Sequence, residues 1–147
     1  MTKEPLFYSS EGHTLRILLD TDDSSETGYF IPGIGADYLV EIYGKKNPMN
    51  TNATILSSVL FVFDENRDSN DWNSFVPINN VEVATLSKVT ECRIPLFDIG
   101  STESSPKKMA WQTSDGMGAT DISEIIFGIN TDNVVINDII HSLQREP

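Results

Sequence analysis

Short apolar runs that alternate with polar residues recur along this sequence, roughly every 10 to 20 residues, with polar turn clusters between them. In the first clear run, Leu15, Ile17 and Leu19 are separated by single residues, which places them on one face of a strand. The pattern predicts an all-β protein with roughly eight strands in two antiparallel layers, a jelly-roll-like β-sandwich. The predicted strands include Leu15–Leu19, Tyr38–Ile42, Val59–Phe63, Val81–Val83, Thr90–Phe97, Met109–Thr113 and Ile125–Ile129.

One segment departs from the β pattern. At the end of the chain, apolar residues recur at helical spacing, which predicts a short C-terminal helix; they are Val135, Ile136, Ile139, Ile140 and Leu143. The chain has 147 residues and no internal repeat, a length typical of one domain. We therefore expect a single β-sandwich domain over residues 1–147.

Charge and cysteine content exclude several classes of protein. The formal net charge is −12, from 10 Lys and Arg against 22 Asp and Glu. Nucleic acids and anionic lipids bind basic surfaces, so we expect neither as a partner. The single Cys92 excludes an intramolecular disulfide and a multi-cysteine metal site.

No apolar run approaches the ~20 residues of a membrane span, so no membrane insertion is expected. The first five residues lack the apolar stretch of a signal peptide.

The segment Asp20–Gly28 is the strongest candidate for a functional site. It holds four carboxylates in seven residues, and these repel one another unless they are solvated or bridged by a cation. Calcium takes roughly six to eight oxygen ligands, several of which an irregular Asp-rich loop can supply. The expected ligands of a structural calcium ion are Asp20, Asp22 and Asp37, with Asp23 and Glu26 as supplementary ligands.

The sequence leaves a second interpretation of this loop open. Counted from Asp20, position six is Ser25 rather than Gly and position twelve is Ile31 rather than Glu, so the loop is not an EF-hand. In the alternative it is a solvated hairpin loop whose Asp side chains bond to their own backbone. The segment Asp64–Asp71 has a similar composition, but Arg67 offsets part of its charge. We interpret that second segment as a polar loop between strands.

Several stretches of the sequence resemble one family of binding modules. Leu18–Asp22, Thr27–Tyr29 and Gly33–Ile42 give, in order, a strand, Asp-x-Asp with Thr-Gly, a glycine turn, and Ala-Asp-Tyr-aliphatic-Glu-aliphatic. This pattern resembles DOMON-like β-sandwich domains and is similar to the family-nine type of carbohydrate-binding module on secreted or surface proteins, including archaeal ones. Glu91–Leu96 resembles the Glu-x-x-Ile-Pro-Leu strand of that group, and Trp111–Asp115 resembles its late strand.

The resemblance implies a two-sheet sandwich with a non-catalytic role in binding a carbohydrate or another cell-surface ligand, often with structural calcium. The occurrence of such modules on secreted or surface proteins favours an extracellular or cell-surface location. If the chain is an excised piece of a larger parent protein, the other domains of that protein are further expected partners. The chain departs from the family after Asp121, where it continues from Ile125 to Leu143 in place of a short final strand.

Aromatic residues are the expected contacts for a sugar, because sugars stack on exposed rings and form hydrogen bonds at the rim. Trp72 lies in the polar segment Asn70–Asn73, which suits either an exposed platform or a loop anchor folded onto the core. Large aromatic side chains fill cores more often than they bind ligands. The candidate ligand-binding residues are Tyr29, Trp72 and Trp111.

No catalytic arrangement is apparent. His13 and His141 are far apart in sequence, and Cys92 lies in a predicted strand, where we expect a buried, inert thiol. A serine nucleophile elbow, a phosphate loop and a His-Glu-x-x-His motif are absent. We therefore expect a binding protein rather than an enzyme. One alternative is a surface-assembly or adhesion domain that contacts protein, and another is a hydrolase that uses carboxylates such as Asp68 and Asp71.

Overall fold

The computed structural model describes residue 7 and residues 10–49, 53–86, 89–100, 108–115, 120–122, 126–127 and 133–135. Within these residues the chain forms antiparallel strands, and its helical elements are two short 3-10 turns, Trp72–Ser74 and Leu96–Ile99. The predicted all-β, sandwich-like fold is confirmed. None of the helical turns in this part of the chain has the length and apolar character needed to cross a membrane.

Seven strands form the main sheet. Its order along the sheet is β10 (Thr120–Ile122), β9 (Lys108–Asp115), β1 (His13–Asp20), β4 (Tyr38–Lys46), β5 (Ala53–Phe63) and β6 (Phe75–Asn80). The seventh strand, β11 (Ile126–Phe127), also pairs with β9. A second sheet has the order β12 (Asn133–Val135), β8 (Val89–Arg93) and β7 (Glu82–Leu86), and β2 (Tyr29–Ile31) pairs with β3 (Ile34–Ala36) in a hairpin.

The larger core lies between the inner face of the main sheet and the three-stranded sheet. Leu15, Ile17 and Leu19 of β1 are buried there, as their alternation predicts. Residues from both sheets and from the segments that flank β7 and β8 complete it. The other buried members of this inner core are Phe7, Val40, Ile42, Leu60, Val81, Cys92, Ile94, Ile99, Met109 and Trp111.

The outer face of the main sheet is buried at one end by the β2–β3 hairpin. Leu18, Leu39 and Ala110 pair in register across β1, β4 and β9 and form an apolar row on this face. Ile34 and Ala36 of the hairpin pack against this row and form a second core, the outer core. At this end β1 is therefore buried on both faces, whereas the sequence pattern marks only one face as apolar.

The structure differs from the predicted elements in the second half of the chain. The predicted strand Thr90–Phe97 ends earlier, because β8 stops at Arg93 and a 3-10 turn begins at Leu96. Pro95 lies between the two, and proline has no N–H to donate to a strand ladder. Of the predicted C-terminal helix, Val135 belongs to β12, and residues 136–147 lie outside the described residues. The single domain over residues 1–147 stays a prediction.

Candidate functional site

Three aspartates meet at one end of the outer face. Asp20 is the last residue of β1, Asp22 lies in the loop that follows, and Asp37 lies between β3 and β4. Carboxylate oxygen atoms from all three residues lie within 4.8 Å of one another. The structure thus brings the three expected primary ligands together, and this cluster could hold a metal ion.

Strand pairing places Asp37 beside Asp20. The backbone N–H of Asp37 donates to the carbonyl of Leu19 at 2.8 Å, and its carbonyl accepts the N–H of Phe63 at 2.8 Å. These bonds continue the pairing of β1, β4 and β5 by one residue beyond the pair that Leu19 forms with Tyr38. Two carboxylates that are distant in sequence therefore become cross-strand neighbours.

Short hydrogen bonds hold the loop at the cluster. Asp37 Oδ2 accepts the N–H of Thr21 at 2.9 Å and its hydroxyl at 3.2 Å. Asp22 Oδ1 accepts the N–H of Ser24 at 3.1 Å, and Asp22 Oδ2 accepts the Thr27 hydroxyl at 2.6 Å. The Asp22–Ser24 bond is a local side-chain turn of the kind that the second interpretation of the loop predicts. Both expected features of this loop, the turn and the cluster, are present together.

Asp20 is the least well compensated member of the cluster. Its side chain is 0% exposed, and the two N–H groups that bond to it are distant, Ser24 at 3.3 Å and Gly35 at 3.4 Å. Removal from water disfavours an ionised carboxylate. Burial accordingly raises the pKa of Asp20, and it raises the pKa of Asp37 to about 6, while the nearby charge of Asp22 adds to both effects. A bound cation would oppose each of these shifts.

A glycine lets the loop approach the hairpin closely. A Cβ atom added to Gly35 would overlap the backbone carbonyl of Thr27 and lie 2.5 Å from that of Ser24. Real Cβ atoms do not make such contacts, so the loop passes over β3 only because this position lacks a side chain. The N–H of the same Gly35 points to Asp20. The close packing of the loop on β3 and the burial of Asp20 therefore both depend on Gly35.

The two supplementary ligands lie apart from the cluster. Asp23 has a left-handed backbone, with φ of 56°, and its Oδ1 forms an ion pair with Nζ of Lys108 at 2.6 Å. That hydrogen bond raises the pKa of Lys108. Glu26 is exposed, and its backbone N–H donates to the Ser24 hydroxyl. Lys108 is opposite Asp20 in the β1–β9 register, a relationship for which the sequence offers no signal.

The second acidic loop packs against the first. The Glu65 carboxylate accepts the N–H of Gly28 at 2.8 Å, and the Ser69 carbonyl accepts the N–H of Phe30 at 2.8 Å. The sequence does not predict these contacts, because both loops are polar and their composition does not show that they pack together. The carboxylates considered for hydrolysis serve as local turn acceptors, since Asp68 and Asp71 each accept the backbone N–H of the second residue after them.

The three aromatic candidates occupy different environments. Trp111 lies in the inner core and is 1% exposed, so its ring is covered. Tyr29 and Trp72 are half-buried and pack edge to face, with ring centroids 5.1 Å apart and an interplanar angle of 87°. Phe75 joins them at 5.3 Å from Trp72. Trp72 therefore anchors its loop to the outer core, the second of the two roles that the sequence leaves open.

Arg16 adjoins this aromatic group on the outer face. Its Cζ lies 5.6 Å from the centroid of the Trp72 ring, within the range of a cation–π contact. Its Nε donates to Glu41 at 2.7 Å and Nη1 to Gln112 at 3.3 Å, which links β4, β1 and β9. The aromatic of the hairpin that does face solvent is Phe30, which is 46% exposed.

Comparison of the chain with family models, curated proteins and solved structures gave no match. The function of this chain has to be inferred from its own residues and their geometry.

Proposed function

We propose that this chain is a non-catalytic binding module in which a structural calcium ion holds the Asp20–Gly28 loop against the sandwich. The observation that carries this proposal is the approach of oxygen atoms from Asp20, Asp22 and Asp37 to within 4.8 Å of one another. Three carboxylates at that separation repel one another, and one of them is removed from water. A cation would relieve both costs at once.

The chemistry of the donors favours calcium among the divalent cations. All the candidate ligand atoms are oxygens, which hard cations prefer, and neither histidine nor cysteine belongs to the cluster. The loop is irregular, and the Thr27 hydroxyl lies next to Asp22 as a further oxygen. Calcium accepts irregular sets of oxygens, whereas magnesium requires a near-ideal octahedron.

The expected role of the ion is stabilisation. A cation favours the ionised carboxylates, so it would lower the raised pKa values of Asp20 and Asp37. The loop leads directly into β2, whose Tyr29 packs on Trp72. Holding the loop would therefore also hold the hairpin that covers the outer core.

Thermal unfolding with calcium and with a chelator tests the ion site. Calcium at 100 times its Kd adds about 2.7 kcal/mol, which is about 5–10 °C in Tm at this chain length. Asp22→Asn should remove most of that increase without disturbing the core, because Asp22 is exposed. Asp68→Asn, the same change at an exposed acid of the second loop, should keep it. An unchanged Tm in calcium would contradict the site, and an equal shift with magnesium would contradict the choice of calcium.

The ligand that we propose is a carbohydrate or another cell-surface ligand. The sequence resemblance to DOMON-like and family-nine-type modules supports it, and so does exposed Phe30 on the hairpin beside the loop. Glycan-array binding by the calcium-loaded chain, weakened by Phe30→Ala, is the expected result. Self-association in solution without glycan binding would favour the adhesion alternative instead. Turnover of a polysaccharide would contradict a non-catalytic role.

A further inference from the structure

Phe7 is a buried aromatic residue in an unfavourable backbone conformation. Its side chain is 0% exposed and belongs to the inner core. Its φ is nevertheless 63°, a left-handed value that bulky residues rarely adopt. The surrounding structure has to hold a residue in such a conformation. The contacts of Phe7 in the inner core therefore keep its backbone in this conformation.

The position that receives Phe7 lies on β4. A Cβ atom added to Gly44 would lie 2.9 Å from Cβ of Phe7 and 3.0 Å from its Cγ, so glycine leaves the room that the ring occupies. The pairing of β4 with β5 shifts register between Tyr43 and Gly44, an irregularity that bends a strand locally. The inner core thus has a recess beside Gly44, which Phe7 fills.

His13 holds the backbone of Phe7. The N–H of Phe7 donates to Nδ1 of His13 at 3.0 Å. This bond requires a lone pair on Nδ1, so His13 is neutral, with its proton on Nε2. An imidazolium carries protons on both nitrogens and cannot accept the bond. Because histidine changes charge between roughly pH 5 and 8, the bond depends on pH.

The charged positions on the elements around His13 have both signs. Glu11 lies in the turn before β1, and Asp115 is opposite His13 on β9. Gly44 is its partner on β4, where Lys45 and Lys46 follow. Whichever form of His13 these charges favour, the hydrogen bond from Phe7 requires an unprotonated Nδ1.

We propose that His13 and Phe7 form a pH-dependent latch. Neutral His13 holds Phe7 in the recess beside Gly44. A proton taken from solvent onto Nδ1 removes the acceptor, and the N–H of Phe7 loses its partner at a position where the backbone is already unfavourable. Phe7 then leaves the inner core.

Amide exchange measured by NMR on the whole chain tests the latch. Above the titration of His13 we expect the Phe7 amide to be protected. Below it, protection relative to the intrinsic rate at the same pH should fall about 10-fold or more, with a midpoint that matches the shift of the His13 ring protons. Ile17, in the middle of β1, should stay protected throughout. Constant protection of Phe7 through the titration of His13 would overturn the proposal.

Two matched substitutions assign the effect to one histidine. His13→Gln offers an acceptor oxygen that does not titrate, so the Phe7 amide should be protected at both ends of the range. His141→Gln, at the other of the two histidines in the chain, should keep the pH dependence of the wild type. The same pH dependence in His13→Gln would overturn the latch. Should His13→Gln fail to fold, the wild type still tests the latch. The midpoint of Phe7 amide protection has to match the midpoint of the His13 ring-proton shift.

Discussion

The backbone N–H of Gly28 donates to the carboxylate of Glu65 at 2.8 Å, and this bond joins the two acidic loops of the molecule. Phe30 donates to the Ser69 carbonyl beside it at the same distance. The loop that carries Asp20 and Asp22 is thus supported by the Asp64–Asp71 loop. An acidic residue of the second loop stabilises the first loop through a hydrogen bond to its backbone.

Replacement of Glu65 tests this support. Glu65→Ala removes a charged acceptor from a backbone N–H, and we expect a loss of about 1 kcal/mol of unfolding free energy, or about 2–4 °C in Tm. Glu65→Gln keeps an acceptor oxygen and should lose less. Glu26→Ala, an exposed acid of the first loop, serves as the control with little change. Wild-type stability in Glu65→Ala would show that the bond contributes nothing.

Gly35→Ala should be strongly destabilising. The new methyl would overlap the Thr27 carbonyl and press on that of Ser24, so the loop has to move away from β3. We expect a loss of about 2–3 kcal/mol, typical of an overpacked interior. Denaturant unfolding measures it, with Ser25→Ala at an exposed loop position as the control. An unchanged free energy of unfolding in Gly35→Ala would mean that the loop is free to adopt another path.

The half-buried Asp37 carboxyl should make the calcium-free protein less stable as pH rises. Burial raises the pKa of Asp37 from 3.8 to about 6, so between these values the folded state binds more protons than the unfolded state. Stability that is present at the lower pH is therefore lost as pH rises towards and through 6. Asp37→Asn mimics the protonated form, and we expect it to add about 1 kcal/mol to the calcium-free protein near neutral pH.

The same substitution should abolish the response to calcium if Asp37 is a ligand as we propose. Urea titrations at several pH values, with chelator and with calcium, measure both effects. Asp68→Asn is the matched control, since Asp68 is exposed and accepts the N–H of Asn70 within its own turn. A stability difference between wild type and Asp37→Asn that does not grow from mild acid to neutral pH would contradict the prediction.

Cys92 should be unreactive in the folded protein. It is buried in the inner core, and burial raises the pKa of its thiol to about 12. Thiolate is the reactive form, so a disulfide reagent at neutral pH should label the native chain only at the rate at which the chain unfolds. Labelling in urea should be fast and complete. Rapid labelling of the native chain would show that β8 opens locally.

Local patterns were sufficient to predict the inner face of β1 but not the burial of its outer face. Leu15, Ile17 and Leu19 identify the inner face of β1, because a period of two places alternate side chains on one side of a strand. Leu18 is buried as well, since the β2–β3 hairpin folds back over it. That contact joins separate segments, and no period in the sequence of β1 encodes it.

The candidate site likewise has residues that the sequence predicts and a contact that it does not. Asp20, Asp22 and Asp37 can be chosen from the sequence, because a strand end and a glycine turn bring acidic residues to one end of a sheet. Asp23 is chosen by the same reasoning, yet it pairs with Lys108, which the β1–β9 register places opposite Asp20. The sequence does not state which strands are neighbours, so it does not distinguish a ligand from an ion-pair partner.

Strand periodicity, negative charge and the position of the acidic loop can be read from the sequence alone, because each is a property of consecutive residues. Folding determines that Asp20 is buried while Asp22 is exposed, and that Trp111 lies in the core while Phe30 faces solvent. Consecutive residues do not encode these differences, because burial depends on which distant segment covers a residue. The same covering sets how far each carboxylate is removed from water, and so how strongly a cation at this end of the sheet would be held.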